Sequence, residues 1–296
     1  MVGAGIAVGG AFLVWGVLPV YWKLLAGIQP LEIIAHRVVW SLVFLCIVMR
    51  LRGRLGLWRA ALVDGRQLVR HGLSAALLGV NWLTFIYAMQ TDRVIESSLG
   101  YFLVPMCNVA LGFVILGERL RALQWVAVAL AAVGVGVQLV RVGELPWLAL
   151  VLAGTWAVYG LLSKKGPLGP VTGLGVETAL LAPVAAGYLV WRGWTGEGAL
   201  GQVGWGQGIL LLACGVVTAV PLVWFSSGAR LLSMATIGLF QYLAPSVQLV
   251  LGVLLYREPF GGSQVWAFGF IWAGLALYSL DAFRAGRRMA KAVVAT

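Results

Sequence analysis

Leu99–Gln124 reads LGYFLVPMCNVALGFVILGERLRALQ, and Leu239–Gln264 reads LFQYLAPSVQLVLGVLLYREPFGGSQ. Laid together at an offset of 140 residues, without a gap, they match at Leu99 and Leu239, Leu103 and Leu243, and Pro105 and Pro245. They match again at Leu111-Gly112 and Leu251-Gly252, Glu118 and Glu258, and Gln124 and Gln264. Leucines coincide easily between two apolar sequences. A proline, a glycine, a glutamate and a glutamine in one register do not. The register extends outward to Phe85 over Phe225, Gly134 over Gly274 and Pro30 over Pro170; Trp15-Gly16 resembles Tyr159-Gly160 only after a four-residue shift. The chain therefore reads as two related halves, residues 1–143 and 144–285, followed by a basic tail at 286–296.

Composition says where such halves reside. Apolar residues make up 61% of the 296 and charged residues 10%. A soluble domain carries roughly 25% charged residues, because its surface must be wetted. Crossing about 30 Å of hydrocarbon takes a helix of about 20 apolar residues. Ten such runs are legible, at 3–25, 31–50, 72–91, 97–117, 123–141, 147–163, 171–191, 207–229, 234–256 and 263–283. The longest connectors are 51–71, which is basic, and 192–206, which is rich in Gly and Trp. Each half holds five runs. Five is odd, so the second half starts on the opposite side. The expected fold class is an all-α integral membrane protein of ten transmembrane helices, arranged as two inverted five-helix repeats. That is a recurrent transporter design, because exchanging the conformations of two like halves exchanges the open side.

Orientation follows from Lys and Arg in the loops. With the N-terminus inside, the inner segments hold Arg50, Arg52, Arg54, Arg59, Arg66, Arg70, Arg119, Arg121, Lys164, Lys165, Arg230, Arg284, Arg287, Arg288 and Lys291, which is fifteen. The outer ends hold Arg93, Arg141, Arg192 and Arg257, which is four. Both termini are thus expected in the cytoplasm. The net charge of +11 is accounted for by these loops, without a nucleic-acid face. The N-terminus lacks the basic region and cleavage site of a signal peptide, so the first run is expected to stay as a span. Trp22, Trp58, Trp147, Trp191, Trp194 and Trp205 fall near span ends, where indole rings anchor at the headgroups.

Charges inside spans are costly and face a bundle interior or a watery cavity. Glu32 and His36 lie four apart on the second span and share a face. With Arg37 and Lys23 they read as an outer-side charge cluster, Arg37 being the partner for a carboxylate-bearing substrate. At the 140-residue offset Arg37 falls on Glu177, the foremost candidate for proton coupling, with Glu32 a second. Asn81, Tyr87, Tyr101, Gln241 and Tyr242, with Trp15, Tyr159 and Trp224, are candidates for a polar and aromatic cavity wall. Pro19, Pro105, Pro221 and Pro245 lie within spans, where each removes a backbone hydrogen bond and invites a kink. Asp281 reads as an interfacial carboxylate near Arg284. Cys46, Cys107 and Cys214 lie in apolar runs, none in a CxxC, and read as small apolar residues with neither disulfide nor metal. No cofactor is implied.

Competing functions fare worse. No GxxxxGK[ST] is present, so the chain carries no ATP-hydrolysing module. An intramembrane enzyme needs a metal or nucleophile set, but the histidines are only His36 and His71, and no HExxH occurs. A passive channel remains compatible with the residues.

Several stretches resemble a known family. They are Glu32–Ser41 (EIIAHRVVWS), Asn81–Tyr87 (NWLTFIY), Glu96–Pro105 (ESSLGYFLVP), Gly117–Leu120 with Gln124-Trp125, Glu177–Pro183 (ETALLAP), Val217–Pro221 (VTAVP) and Phe240–Pro245 (FQYLAP). In order and spacing they are similar to the RarD branch of the EamA transporters, in the drug/metabolite transporter superfamily. The resemblance spans nearly the whole chain. It implies ten helices in a 5+5 inverted repeat, cytoplasmic termini in the bacterial inner membrane, and a central cavity opening alternately to each side. It also implies export of small metabolites, amino acids or drugs; the RarD branch is commonly labelled a chloramphenicol-related permease.

Overall fold

The computed structural model describes residues 2–90, 94–142 and 147–255, together with 262, 265–266, 269–274, 276–278, 280–281 and 284. Arg93, Arg257, Glu258, Gln264 and the tail 286–296 lie outside the described residues. Twelve helices are α1 (Val2–Leu24), α2 (Pro30–Leu51), α3 (Leu55–Val63), α4 (Gly65–Gln90), α5 (Val94–Leu116), α6 (Ala122–Val142), α7 (Trp147–Lys165), α8 (Pro170–Trp194), α9 (Ala199–Gln202), α10 (Trp205–Ala229), α11 (Met234–Phe240) and α12 (Leu243–Leu254). Residues 269–274 and 276–278 are helical as well.

Among the described residues, five helices are long and apolar enough to cross a membrane, within Gly3–Leu24, Pro30–Leu51, Trp147–Lys165, Pro170–Gln202 and Trp205–Ala229. Shorter apolar helices cover Gly100–Leu116, Ala122–Val137 and Gly269–Tyr278. Ile6, Val17, Ile47, Val184 and Ile209 point outward and exposed. Helices apolar on their outer as well as their inner faces belong in lipid. The chain is an all-α, multi-pass membrane protein.

Local chemistry starts and stops these helices. Pro30 and Pro170 open α2 and α8, where a missing N–H costs nothing. Gly27, at φ 91°, reverses the chain between α1 and α2. Asp64 starts α4, its Oδ1 accepting the Arg66 N–H at 2.9 Å. In the interior, α2 packs on α8 and α10, α1 on α10 and α12, α4 on α7 and α8, and α5 on α7 and α11. Small residues let these axes approach: a Cβ on Gly100 would meet the Ala149 backbone at 3.1 Å. At the α2–α10 crossing Ser41 donates to the Gly215 carbonyl at 3.2 Å.

Three connections differ from the sequence reading. Residues 51–71 form α3 and the first turns of α4 rather than a basic loop, so His71 is a helix residue and is buried. Residues 192–206 include the end of α8 and the single turn of α9. The run 234–256 is two helices, α11 and α12, parted at Gln241-Tyr242. Pro245 has no N–H to offer the Gln241 carbonyl one turn back, which weakens the helix there. By contrast, α5 passes through Pro105 unbroken.

Candidate functional site

Two charged side chains organise the interior. Arg37, on the inner face of α2, donates from Nε to Thr218 Oγ1 of α10 at 3.1 Å. Its guanidinium lies 4.9 Å from the ring centroid of Trp22 and 4.6 Å from that of Trp82. A planar cation between two indole faces is held by their quadrupoles. Among the described residues no carboxylate pairs with it. Arg37 and Tyr101 both keep accessible surface although they lie among packed helices. A guanidinium with donors to spare is a ready receptor for a carboxylate or similar anion.

Glu177 of α8 is 4% exposed and bridges two helices. Its Oε1 lies 3.2 Å from His71 Nδ1 of α4, and its Oε2 accepts the Tyr159 hydroxyl of α7 at 3.3 Å. The pair opens onto a crevice lined by Arg70, Ser74, Ser163, Gly173, Ser226 and Arg230. Gly173 lets the ring sit close, since a Cβ would stand a tight 3.1 Å from His71 Cε1.

An aromatic wall ties the site to the centre. Trp15 and Trp156 meet edge to face at 5.2 Å, and Trp156 contacts Tyr159 at 5.6 Å and Phe225 at 5.5 Å. Tyr159 stacks on Phe225 at 6.4 Å. Across the α5–α11 contact, Asn108 donates to Gln241 Oε1 at 2.7 Å. Among the described residues, Asn108 Oδ1, Gln241 Nε2 and the Tyr242 hydroxyl are buried without hydrogen-bond partners. These polar atoms cluster where α11 gives way to α12.

Other candidates stand elsewhere. Of the expected outer-side cluster, Glu32 and His36 have partners other than Arg37. Glu32 turns outward, its Oε1 accepting the Ala199 N–H at 2.6 Å and its Oε2 facing Arg192 at 3.5 Å. His36 accepts from Trp40 Nε1 at 3.1 Å. Asn81 donates to the Leu152 carbonyl at 3.0 Å and to Thr155 at 2.9 Å, fastening α4 to α7. Trp224 is 42% exposed and covers Gly10 on the bundle's outer surface; Tyr87 is 46% exposed and leans on Trp147. Pro19, Pro105 and Pro221 lie inside α1, α5 and α10, and Pro245 in the first turn of α12. Asp281 pairs with Arg121 at 2.5 Å, not with Arg284. Among the six expected anchors, Trp22 and Trp58 instead face the interior, beside Arg37 and Gly175.

His71, Trp156, Thr218 and Asn108 were not singled out by the sequence. A signal for His71 existed, since it is one of two histidines. Glu118 also gains a role: its carboxylate accepts the Met234 N–H at 2.9 Å and so caps α11. Gly112 leaves room for it, as a Cβ there would meet Glu118 Oε2 at 2.7 Å. Gln124 Oε1 accepts the Arg121 N–H at 3.0 Å at the start of α6.

Comparison with known proteins accords with this geometry. The EamA-like transporter family model matches residues 1–139 and again 146–280. An uncharacterized transporter of Vibrio cholerae is 42% identical over 285 residues, covering 95% of this chain and 93% of that one. Protein RarD of Escherichia coli is 40% identical over 281 residues, covering 95% of each. The chloramphenicol-sensitive protein RarD of Pseudomonas aeruginosa is 32% identical over 281 residues, covering 93% and 92%. A solved crystal structure shares the fold, with a TM-score of 0.72 at 21% identity, over 94% of this chain and 98% of that one. The chain belongs to the EamA-like transporter family, on its RarD branch in the drug/metabolite transporter superfamily, and is a secondary transporter rather than an enzyme.

Proposed function

We propose that the protein exports small organic molecules across the bacterial inner membrane by alternating access, binding an anionic group of the substrate at Arg37 and coupling to protons at Glu177. The observation that carries the binding role is the Arg37 guanidinium, held by Trp22, Trp82 and Thr218 and matched to no carboxylate among the described residues. An amphipathic substrate with a carboxylate, such as an amino acid, suits a cation set among aromatic rings. Trp15, Trp156 and Tyr159 supply the apolar wall, with Tyr101 against Phe85 and with Gln241 and Tyr242 at the helix break. A buried carboxyl between a histidine and a tyrosine suits proton coupling.

The same reading takes the chain as ten spans in two inverted halves, 1–143 and 144–285, with both termini and the tail 286–296 in the cytoplasm. Two observations support it. The family model matches once in each half. The packing is also self-similar. Exchange of the halves maps α1 to α7, α2 to α8, α4 to α10 and α5 to α11–α12. The α5–α7 contact then becomes α1–α12, α4–α7 becomes α1–α10, and α2–α10 becomes α4–α8. The α2–α8 and α5–α11 contacts map onto themselves. Such exchange symmetry is what lets one arrangement of two halves convert into its inverted twin.

Counterflow in proteoliposomes tests the function, using labelled amino acids and chloramphenicol with and without an imposed pH gradient. The name of the Pseudomonas relative makes chloramphenicol a natural probe. Saturable counterflow that an inward proton gradient accelerates is the expected result. Flux that rises linearly with concentration and ignores the gradient would overturn the carrier mechanism.

A further inference from the structure

We propose that protons reach Glu177 from the Arg70–Arg230 crevice through His71, so that the His71–Glu177 pair, not the carboxyl alone, loads and unloads. This deepens the coupling role proposed for Glu177 and rests on it. The His71 ring faces two ways. Nδ1 meets Glu177 Oε1 at 3.2 Å. Among the described residues Nε2 is buried without a hydrogen-bond partner, and His71 is one of the residues lining the crevice. The His71 side chain is 6% exposed. The crevice offers ≈ 20 Å³ to water centres, room for about one water molecule. A buried ring nitrogen requires a partner, and water in the crevice is the partner this proposal assigns to it.

The proton balance is simple. In the unloaded pair, His71 is neutral and donates its Nδ1–H to the Glu177 carboxylate, so the pair carries one negative charge. A hydronium in the crevice gives its proton to Nε2, forming one N–H bond and leaving water. The pair becomes imidazolium and carboxylate, with no net charge and the Nδ1–H bond intact. Release reverses the step at the same nitrogen.

The groups around His71 favour this assignment. Glu177 faces it from α8, with Tyr159 of α7 on the far carboxylate oxygen. Arg70 on its own helix and Arg230 after α10 line the crevice mouth. Lys164 of α7 is engaged by the Ala229 and Leu232 carbonyls. Near this part of α8, α2 and α3 present Met49 and Trp58, which do not titrate. The contact of α5 with α4 lies further along the helix, at Phe85 and Tyr101. A change of charge on the pair is felt by Tyr159, whose ring is part of the aromatic wall.

The first arm of the test needs no substrate. The full chain, carrying ¹⁵N-imidazole histidine in lipid nanodiscs, is titrated by NMR between about pH 5 and pH 9, the range in which histidine changes charge. Only two histidines contribute, and a His36→Gln sample assigns them. We expect His71 Nε2 to gain a proton reversibly, with a midpoint that falls by about one pH unit or more in Glu177→Gln, because an opposite charge favours the imidazolium. A His71 fixed in one state throughout, or one that titrates alike in both proteins, overturns the pair but leaves a coupling carboxyl at Glu177 standing. Gradient-driven flux that survives Glu177→Gln in proteoliposomes overturns the coupling role, and the pair with it.

Discussion

Arg37 and Glu177 each lie seven residues beyond the proline that opens their helix, α2 for the one and α8 for the other. Their surroundings differ in kind. Arg37 is held by two indole faces and a threonine hydroxyl, none of which changes charge. Glu177 is held by the imidazole of a histidine and the hydroxyl of a tyrosine. On the roles proposed above, the first is a fixed charge and the second a variable one. A fixed cation suits a group that must bind an anion at every pH. A carboxyl among proton carriers suits a group that must register the gradient. The two positions share a register along their helices and differ in chemistry.

The largest effect should come from removing the fixed charge. Arg37→Ala is expected to weaken counterflow of carboxylate-bearing substrates about 10- to 100-fold, the worth of a hydrogen bond to a charged group. Arg37→Lys should not restore it, because an ammonium neither stacks between Trp22 and Trp82 nor forks around a carboxylate. Wild-type affinity in the lysine variant would reduce Arg37 to a point charge and break the contrast.

Glu177→Gln should separate the two roles next. Exchange of substrate for substrate needs no net proton movement, so counterflow should persist within a few-fold of wild type. Acceleration by a pH gradient should vanish, and the pH dependence of flux should flatten. If Glu177→Gln abolishes exchange as thoroughly as Arg37→Ala, both residues belong to one binding site and the division of labour fails.

A smaller effect sharpens the Arg37 side. Trp82→Leu keeps an apolar volume but removes the aromatic face 4.6 Å from the guanidinium. Cation–π contacts are worth about 0.5–2 kcal/mol, so substrate affinity should fall about 2- to 30-fold. Trp22→Leu, at 4.9 Å, should behave alike. Unchanged affinity in both would leave Thr218 as the group that positions Arg37.

The sequence announced these two charges because a charge in an apolar run has few explanations. Their partners were illegible for physical reasons. His71 follows Arg66 and Arg70 in a stretch that reads as a basic cytoplasmic loop, and the carboxylate it meets lies 106 residues away in sequence. Trp156 looks like any core indole until it touches Trp15. The apolar runs that became α1, α2, α7, α8 and α10 were plain from hydropathy. The break at Gln241-Tyr242 was foreshadowed only by Pro245, and Pro105 shows that a proline alone does not decide it. What differs is the neighbourhood, since α11 is capped at its start by Glu118 from the other half.

Glu32 provides the control, and the smallest expected effect. On sequence it ranked with Glu177 as a carboxyl in a span, and both are almost fully buried. Its acceptors are engaged by groups that do not exchange protons near neutral pH: the Ala199 N–H at 2.6 Å and the Arg192 guanidinium at 3.5 Å. Arg192 also bonds the Glu197 carbonyl at 2.8 Å, so one carboxylate pins the whole α8–α9 corner to the start of α2. Glutamine keeps an acceptor for Ala199 but loses the charge facing Arg192. Glu32→Gln should therefore lower stability by about 1–2 kcal/mol, read as a lower thermal midpoint in detergent, and leave the pH dependence of flux as in wild type. Burial is the same at the two glutamates; if the Glu32 variant altered that dependence, the identity of the partners would not be what separates an anchoring carboxylate from a coupling one.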